Sequence, residues 1–373
     1  MSFRDSLVLR RGGPWPVSAG LAALLSLAAC SGEGTTVRGG GRGPGPAGGS
    51  GTTVITGGAW QPPEAAPPDS PVAQFGQLRV EGSALLDQAG NPVQLKGVST
   101  MWLNWEQNYA GSKAGLQWMR DNWGLRVVRA AMGVDPTGGG GFLTNPGPMI
   151  SQVRAVAQNA IDLGVYVIID WHDHDGELHQ QQAVEFFSQM AGELGEFPNV
   201  FYEIYNEPKQ VSWTSVLKPY HEAVSAAIRE KDPDNIIIMG TPVWSQEVNR
   251  AADDPVPGTN LMYTVHFYSC THRAAQRAQA QYALDKGLPI FVTEWGATTA
   301  DGGTNGAGGL CLDEAQLWHD FMDGAGISWT AWKLDDCADL SCLFKPAAPR
   351  DGGWTDQFLN GHGPFVRDHM LER

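Results

Sequence analysis

Apolar and β-branched residues gather in eight short runs, at 93–98, 126–131, 165–170, 200–205, 235–239, 261–267, 289–293 and 327–332. Each has strand length and near-continuous hydrophobicity, the pattern of a strand covered on both faces. Between them, at 115–123, 150–163, 180–194, 213–230, 273–284 and 313–322, apolar positions recur with helical spacing. Eight strands alternating with helices predict a (β/α)8 TIM barrel. The segments 78–82 and 84–87, followed by 90–94, predict a short N-terminal β-hairpin ahead of it. A doubly wound sheet is the competing arrangement, but no glycine-rich phosphate loop follows the first strand.

Barrel chemistry sits where strands end. The run Val200-Phe201-Tyr202-Glu203-Ile204-Tyr205 stops at Asn206-Glu207, and Pro208 cannot donate to a further ladder. A second buried run, from Pro289, ends in Glu294. The remaining strand ends supply Arg129, His172, Trp244, His266 with Tyr268, and Trp332 with Lys333. Two carboxylates on one barrel face are what glycosidic bond cleavage requires.

Composition narrows the partners. The 40 acidic and 25 basic residues give a net charge of −15, which disfavours nucleic acid and anionic lipid but suits an uncharged polymer. Fourteen Trp exceed what a core needs, since indole is costly to expose without a ligand. The N-terminus carries Arg4, Arg10 and Arg11, then an apolar run at 19–29 too short to span a bilayer, then Leu27-Ala28-Ala29-Cys30. We read residues 1–30 as a lipoprotein signal peptide with Cys30 as the lipidated N-terminus, a plain signal peptide being the alternative. Residues 31–72, rich in Gly, Pro, Ser and Thr, read as a flexible tether, leaving 73–373 as the catalytic domain. The expectation is an exported, lipid-anchored protein of a bacterial cell envelope or surface, in contact with membrane only through that anchor.

Leu95-Lys96-Gly97-Val98-Ser99, the stretch from Trp118 to Met132, Ala160 to His172, Tyr202 to Pro208, Val265 to Tyr268 and Phe291 to Gly296 resemble, in order and spacing, glycoside hydrolase family 5. The likeness is to its bacterial endo-β-1,4-glucanases, and it runs from Leu78 nearly to the C-terminus. It implies Glu207 as general acid/base, with a raised pKa, and Glu294 as nucleophile, kept ionised by Arg129 and Tyr268. It implies further that Asn206 binds the sugar 2-hydroxyl and that His172 and His266 line the −1 subsite. Trp332 would stack under the −1 ring, with Trp105 and Trp244 as further platforms and Lys333 as a substrate contact. The chain departs from the family pattern at Met101 and Trp102, at Gly133, and in the loop 333–342, all bordering the minus subsites. The resemblance implies a monomer acting on β-glucan without cofactor or metal; a mannanase, a xyloglucanase or a non-catalytic glycan-binding barrel are the alternatives.

His172, His174, Asp175 and His179 mimic a metal cluster, but His-x-His pairs of barrel metalloenzymes lie on the first strand, not the third. With Cys30 lipidated, the four other cysteines allow three pairings. Cys270 and Cys311 follow neighbouring strands while Cys337 and Cys342 share a loop, so we expect disulfides 270–311 and 337–342, both on the active-site rim.

Overall fold

The computed structural model describes residues 65–105, 109–136 and 140–372. Cys30, the 1–30 segment and residues 31–64 of the expected tether lie outside the described residues. The short helix Pro71–Phe75, capped by Ser70, spans the expected tether boundary at 72. Strands β1 (Arg79–Glu81) and β2 (Ala84–Leu86) form the antiparallel hairpin. The barrel strands are β3 (Lys96–Thr100), β4 (Val127–Gly133), β5 (Tyr166–His172), β6 (Val200–Glu203), β7 (Ile236–Met239), β8 (Leu261–Tyr268), β9 (Ile290–Gly296) and β10 (Ser328–Leu334). They pair in parallel in chain order, and β10 closes onto β3, which excludes the doubly wound alternative.

Strand periodicity sorts the side chains. Val128, Ala130 and Met132 of β4, with Val167, Ile169 and Trp171 of β5, face outward into the main core. Inward-facing Val127, Ile168, Phe201, Ile236, Met262 and Phe291 form an apolar floor with Leu78 and Leu85 of the hairpin region. Above that floor the same inward positions turn polar, at Arg129, Asp170, Glu203 and Thr264, all fully buried. Gly124 and Gly164 end the helices Lys113–Trp123 and Pro146–Leu163 in the left-handed conformation, where a Cβ would be strained.

Two irregularities aim side chains into the mouth. On β9, Phe291 and Glu294 oppose Thr264 and His266, so β9 carries one extra residue. The same slip recurs against β10, between Val292 and Trp295. Such a bulge lets consecutive Thr293 and Glu294 both serve the site. The second slip, between Trp332 and Leu334, lies at the end of β10.

Candidate active site

Arg129 is the hub. Its Nε donates to Glu203 Oε2 at 2.6 Å, Nη1 to Glu294 Oε2 at 3.0 Å, and Nη2 to Asn206 Oδ1 at 2.6 Å. Nη2 also lies 2.9 Å from Asp170 Oδ2. A planar fork with fixed donors suits this task as a lysine would not. Asp170 Oδ2 is in turn 2.7 Å from His172 Nδ1, and His172 Nε2 is 3.4 Å from Asn206 Nδ2. Burial, then Arg129, keeps His172 neutral, so its Nδ1–H donates to Asp170 and its Nε2 accepts from Asn206. Asn206 is thereby fixed with its oxygen toward Arg129.

Glu207 is gripped by two imidazoles: Oε1 lies 2.9 Å from His266 Nδ1 and Oε2 3.2 Å from His174 Nε2. His266 Nε2 donates to Thr293 Oγ1 at 2.9 Å, and that hydroxyl donates to Glu203 Oε1 at 2.6 Å. Glu294 Oε1 accepts from Tyr268 Oη at 2.7 Å. One oxygen each of Glu207 and Glu294 and a nitrogen of His266 lie within 4.8 Å of one another.

Buried charge dictates the protonation pattern. Arg129 and a cationic His266 face Glu203, Glu207, Glu294 and Asp170, so acids outnumber bases and some must be pushed up. Burial raises Asp170 well above the carboxylate range despite Arg129. Burial and the Glu207 charge raise Glu294 against the pull of His266, Arg129 and Tyr268. Burial would lower His266, but the Glu203 carboxylate 3.7 Å from its Nε2 and its bond to Glu207 carry it up to about 9. The expected raised pKa of Glu207 is corrected: burial pushes it up, but the bonds from His174 and His266 outweigh that and hold it at about 2. In the free structure the proton therefore resides on the imidazoles rather than on the carboxyl.

The predicted aromatic platforms border this centre. Trp332 stacks on His172 with ring centroids 5.4 Å apart and an interplanar angle of 11°. Trp105, half-exposed, lies parallel to Trp102 at 4.6 Å. Trp244 is exposed on a turn where Val243, Trp244 and Ser245 all adopt positive φ. That turn is clamped to the acid segment, with Trp244 N donating to Pro208 O and Ser245 Oγ to Asn206 O, both at 2.7 Å. Such strain persists only where surroundings enforce it. Lys333 is buried, with Nζ 3.5 Å from Asp339 and 6.0 Å over the Trp332 ring.

Two of the family departures, Trp102 and Gly133, explain each other. A Cβ on Gly133 would meet Asn104 Oδ1 at 2.3 Å and the Trp102 ring at 2.8 Å, so these two side chains fill the space over β4. Cys270 is joined to Cys311 and Cys337 to Cys342, as expected. The His/Asp motif after β5 does not gather as a metal cluster: His179 Nδ1 pairs with Asp173 Oδ2 at 2.7 Å, Lys209 with Asp175, and His172 points to Asp170. Sequence reasoning missed Asp170, Glu203, Thr293 and His174. A charge inside an otherwise apolar strand was the available signal for the first two, since a buried carboxylate must be paired.

The family described as cellulase (glycosyl hydrolase family 5) matches residues 86–338. An endoglucanase of Clostridium saccharobutylicum is 46% identical over 296 residues, covering 78% of this chain and 64% of that protein. Endoglucanase 5 of Pectobacterium carotovorum is 43% identical over 305 residues, covering 81% of this chain and 59% of its own length. The chain thus spans less than two thirds of these relatives. Among solved structures, one from Cytophaga hutchinsonii superposes with a TM-score of 0.77 at 42% identity, covering 81% of this chain and 96% of its own. The catalytic domain of the Thermobifida fusca endoglucanase Cel5A does so with a TM-score of 0.76 at 32% identity, covering 81% and 100%.

Proposed function

The chain belongs to glycosyl hydrolase family 5, and from that premise we propose that it cleaves internal β-1,4-glucosidic bonds in cellulose-type and mixed-linkage β-glucans with retention of configuration. The observation that carries this reading is the close approach of Glu207 and Glu294, within 4.8 Å through their oxygens. Retaining pairs stand about 5–5.5 Å apart, whereas inverting pairs need about 6.5–9.5 Å to admit water between them.

In the first step a Glu294 oxygen bonds to the anomeric carbon as the glycosidic C–O bond breaks, and Glu207 gives its proton to the leaving oxygen. In the second, water bonds to that carbon and passes a proton to Glu207 while the Glu294 ester breaks. Arg129 and the Tyr268 hydroxyl favour the ionised nucleophile. Glu207 is loaded through its neighbours, since His266 and His174 both hold a proton more firmly than a free imidazole. A shift along the His266 or His174 hydrogen bond makes the carboxyl the acid. The amide of Asn206, locked by Arg129 and His172, is poised for the 2-hydroxyl of the bound sugar. Trp332, Trp105 and Trp244 supply faces on which pyranose rings pack.

Support for the substrate comes from relatives named endoglucanases and from the T. fusca enzyme, a variant of which is solved in complex with cellotetraose. The test is hydrolysis of carboxymethylcellulose, barley β-glucan, mannan and xylan, with Glu294→Ala as control. The glucans should be cut fastest, with a rapid fall in viscosity, and the variant should be inactive. Mannan cut tenfold faster than any glucan would overturn the substrate, but not the mechanism. We further propose an exported monomer held to the cell envelope through Cys30 and the Gly/Pro/Ser/Thr-rich stretch that follows it. Cys30→Ala should then accumulate as unprocessed precursor, and a lipid-free, secreted wild type would refute the anchor.

A further inference from the structure

The motif His172-Asp173-His174-Asp175, with His179, enters the mechanism above only through His172 and through the proton that His174 can share with Glu207. Its geometry centres on His174. Asp173 Oδ2 is held by His179 at 2.7 Å, and Asp173 Oδ1 accepts from the backbone N–H of His174 at 2.8 Å and of Asp175 at 3.0 Å. The backbone N–H of Glu207 donates to Asp173 O at 3.2 Å. Asp173, itself buried, thus ties the β5 loop to the residue bearing the acid. The imidazole of His174 lies against Trp102, with centroids 6.0 Å apart and planes within 28°. That ring reaches Glu207 Oε2, while His266 takes Oε1.

The two grips are not equivalent. The His266 side chain is 2% exposed and closes the inner side of the carboxyl, whereas that of His174 is 30% exposed and stands on the open side. Oε2 is therefore the oxygen a leaving group can approach. The last torsion of a glutamate is soft and nearly two-fold, so a single contact leaves the carboxyl free to turn. Two contacts on opposite oxygens fix its plane.

We propose that His174 is a positioning residue for the acid step: with His266 it sets the plane of the Glu207 carboxyl and presents Oε2 to the leaving oxygen, to which it yields its hydrogen bond when the glucan binds. This rests on the reading of Glu207 as acid/base. Trp102, which fills the space over Gly133, is then also the backstop of the His174 ring, so the departure from the family pattern and the extra imidazole form one device.

The test compares His174→Ala, His174→Gln and Glu207→Ala on two probes. Cello-oligosaccharides need a proton on the departing oxygen, while 2,4-dinitrophenyl cellobioside does not. His174→Ala should lose about tenfold or more in kcat/KM on cello-oligosaccharides, yet stay within about twofold of wild type in kcat/KM for dinitrophenolate release, which excludes the water step in which Glu207 is the base. His174→Gln, whose amide can still donate to Oε2, should recover most of the loss. Equal losses on both probes, no loss on either, or absence of recovery by glutamine would overturn the role of His174. Glu207→Ala separates this from the parent reading: if it loses kcat/KM equally on both probes, Glu207 is not the acid and the proposal falls with it. If it spares only the activated probe while His174→Ala does not, only the His174 proposal fails.

Discussion

Removing the hub should destabilise the protein in a strongly pH-dependent way. In Arg129→Met, Glu203, Glu294 and Asp170 lose the guanidinium that contacts them at 2.6, 3.0 and 2.9 Å, in a site with no exposure at Arg129. Breaking a buried ion pair from one side costs about 3–5 kcal/mol. The variant can limit that cost by protonating a carboxyl. For Glu203, which Arg129 and His266 chiefly hold low against burial, taking a proton at pH 7 from an ordinary pKa of ~4.3 costs about 3.7 kcal/mol, but only about 1 kcal/mol at pH 5. The sign follows from linkage. A carboxyl whose folded pKa is raised contributes no penalty below its unfolded value of ~4.3, and its penalty grows as pH rises toward the raised folded value. Urea unfolding at about pH 5 and pH 7 should therefore show a loss of about 3–4 kcal/mol at neutrality shrinking to about 1 kcal/mol in acid. A loss independent of pH, or below about 1 kcal/mol at neutrality, would refute the idea that Arg129 compensates buried carboxylates.

Tyr268→Phe removes the hydroxyl that donates to Glu294 at 2.7 Å. The already raised nucleophile should then rise further, moving the acid limb of kcat/KM to higher pH with roughly a tenfold loss, worth about 1.4 kcal/mol; an unmoved limb would contradict this. His266 stays protonated up to about 9 and feeds Glu207. Wild-type activity on unactivated glucans should therefore fall as pH rises through about 9. In His266→Gln that limb should move toward acid, and a profile identical to wild type would exclude the proton-sharing account. Opening the Cys270–Cys311 bridge, which spans 41 residues, should cost more than opening Cys337–Cys342, which spans 5. Loop entropy gives about 4 against about 2 kcal/mol, read from thermal midpoints of the two double-serine variants.

The barrel was legible because its signal is repetitive: each strand is a short apolar run and each helix an amphipathic one, so boundary errors of a few residues left the alternation intact. Strand-end chemistry was legible for a related reason, since a polar residue finishing a buried run has few structural excuses. What remained hidden depends on alternation and register. Asp170 and Glu203 sit inside strands, and only the inward phase of β5 and β6 reveals that they share Arg129. Thr293 precedes Glu294 and would face away from it in a regular strand; the β9 bulge brings both inward, and no local composition announces it. His174 looked like a metal ligand because its partner, Glu207, comes from another strand end. The direction of the Glu207 shift could not be foreseen either, for it depends on two imidazoles converging from β5 and β8.

The central claim is that Glu294 attacks the sugar directly while Glu207 acts from the opposite side of the scissile bond. Proton NMR of the first product released from a soluble β-glucan tests it most directly, because the anomeric signal records the stereochemistry before mutarotation. Double displacement by this pair predicts that the β-anomer appears first and the α-anomer grows in only as equilibration proceeds. An initial burst of α-anomer would mean that water, not Glu294, is the nucleophile, and would contradict the account.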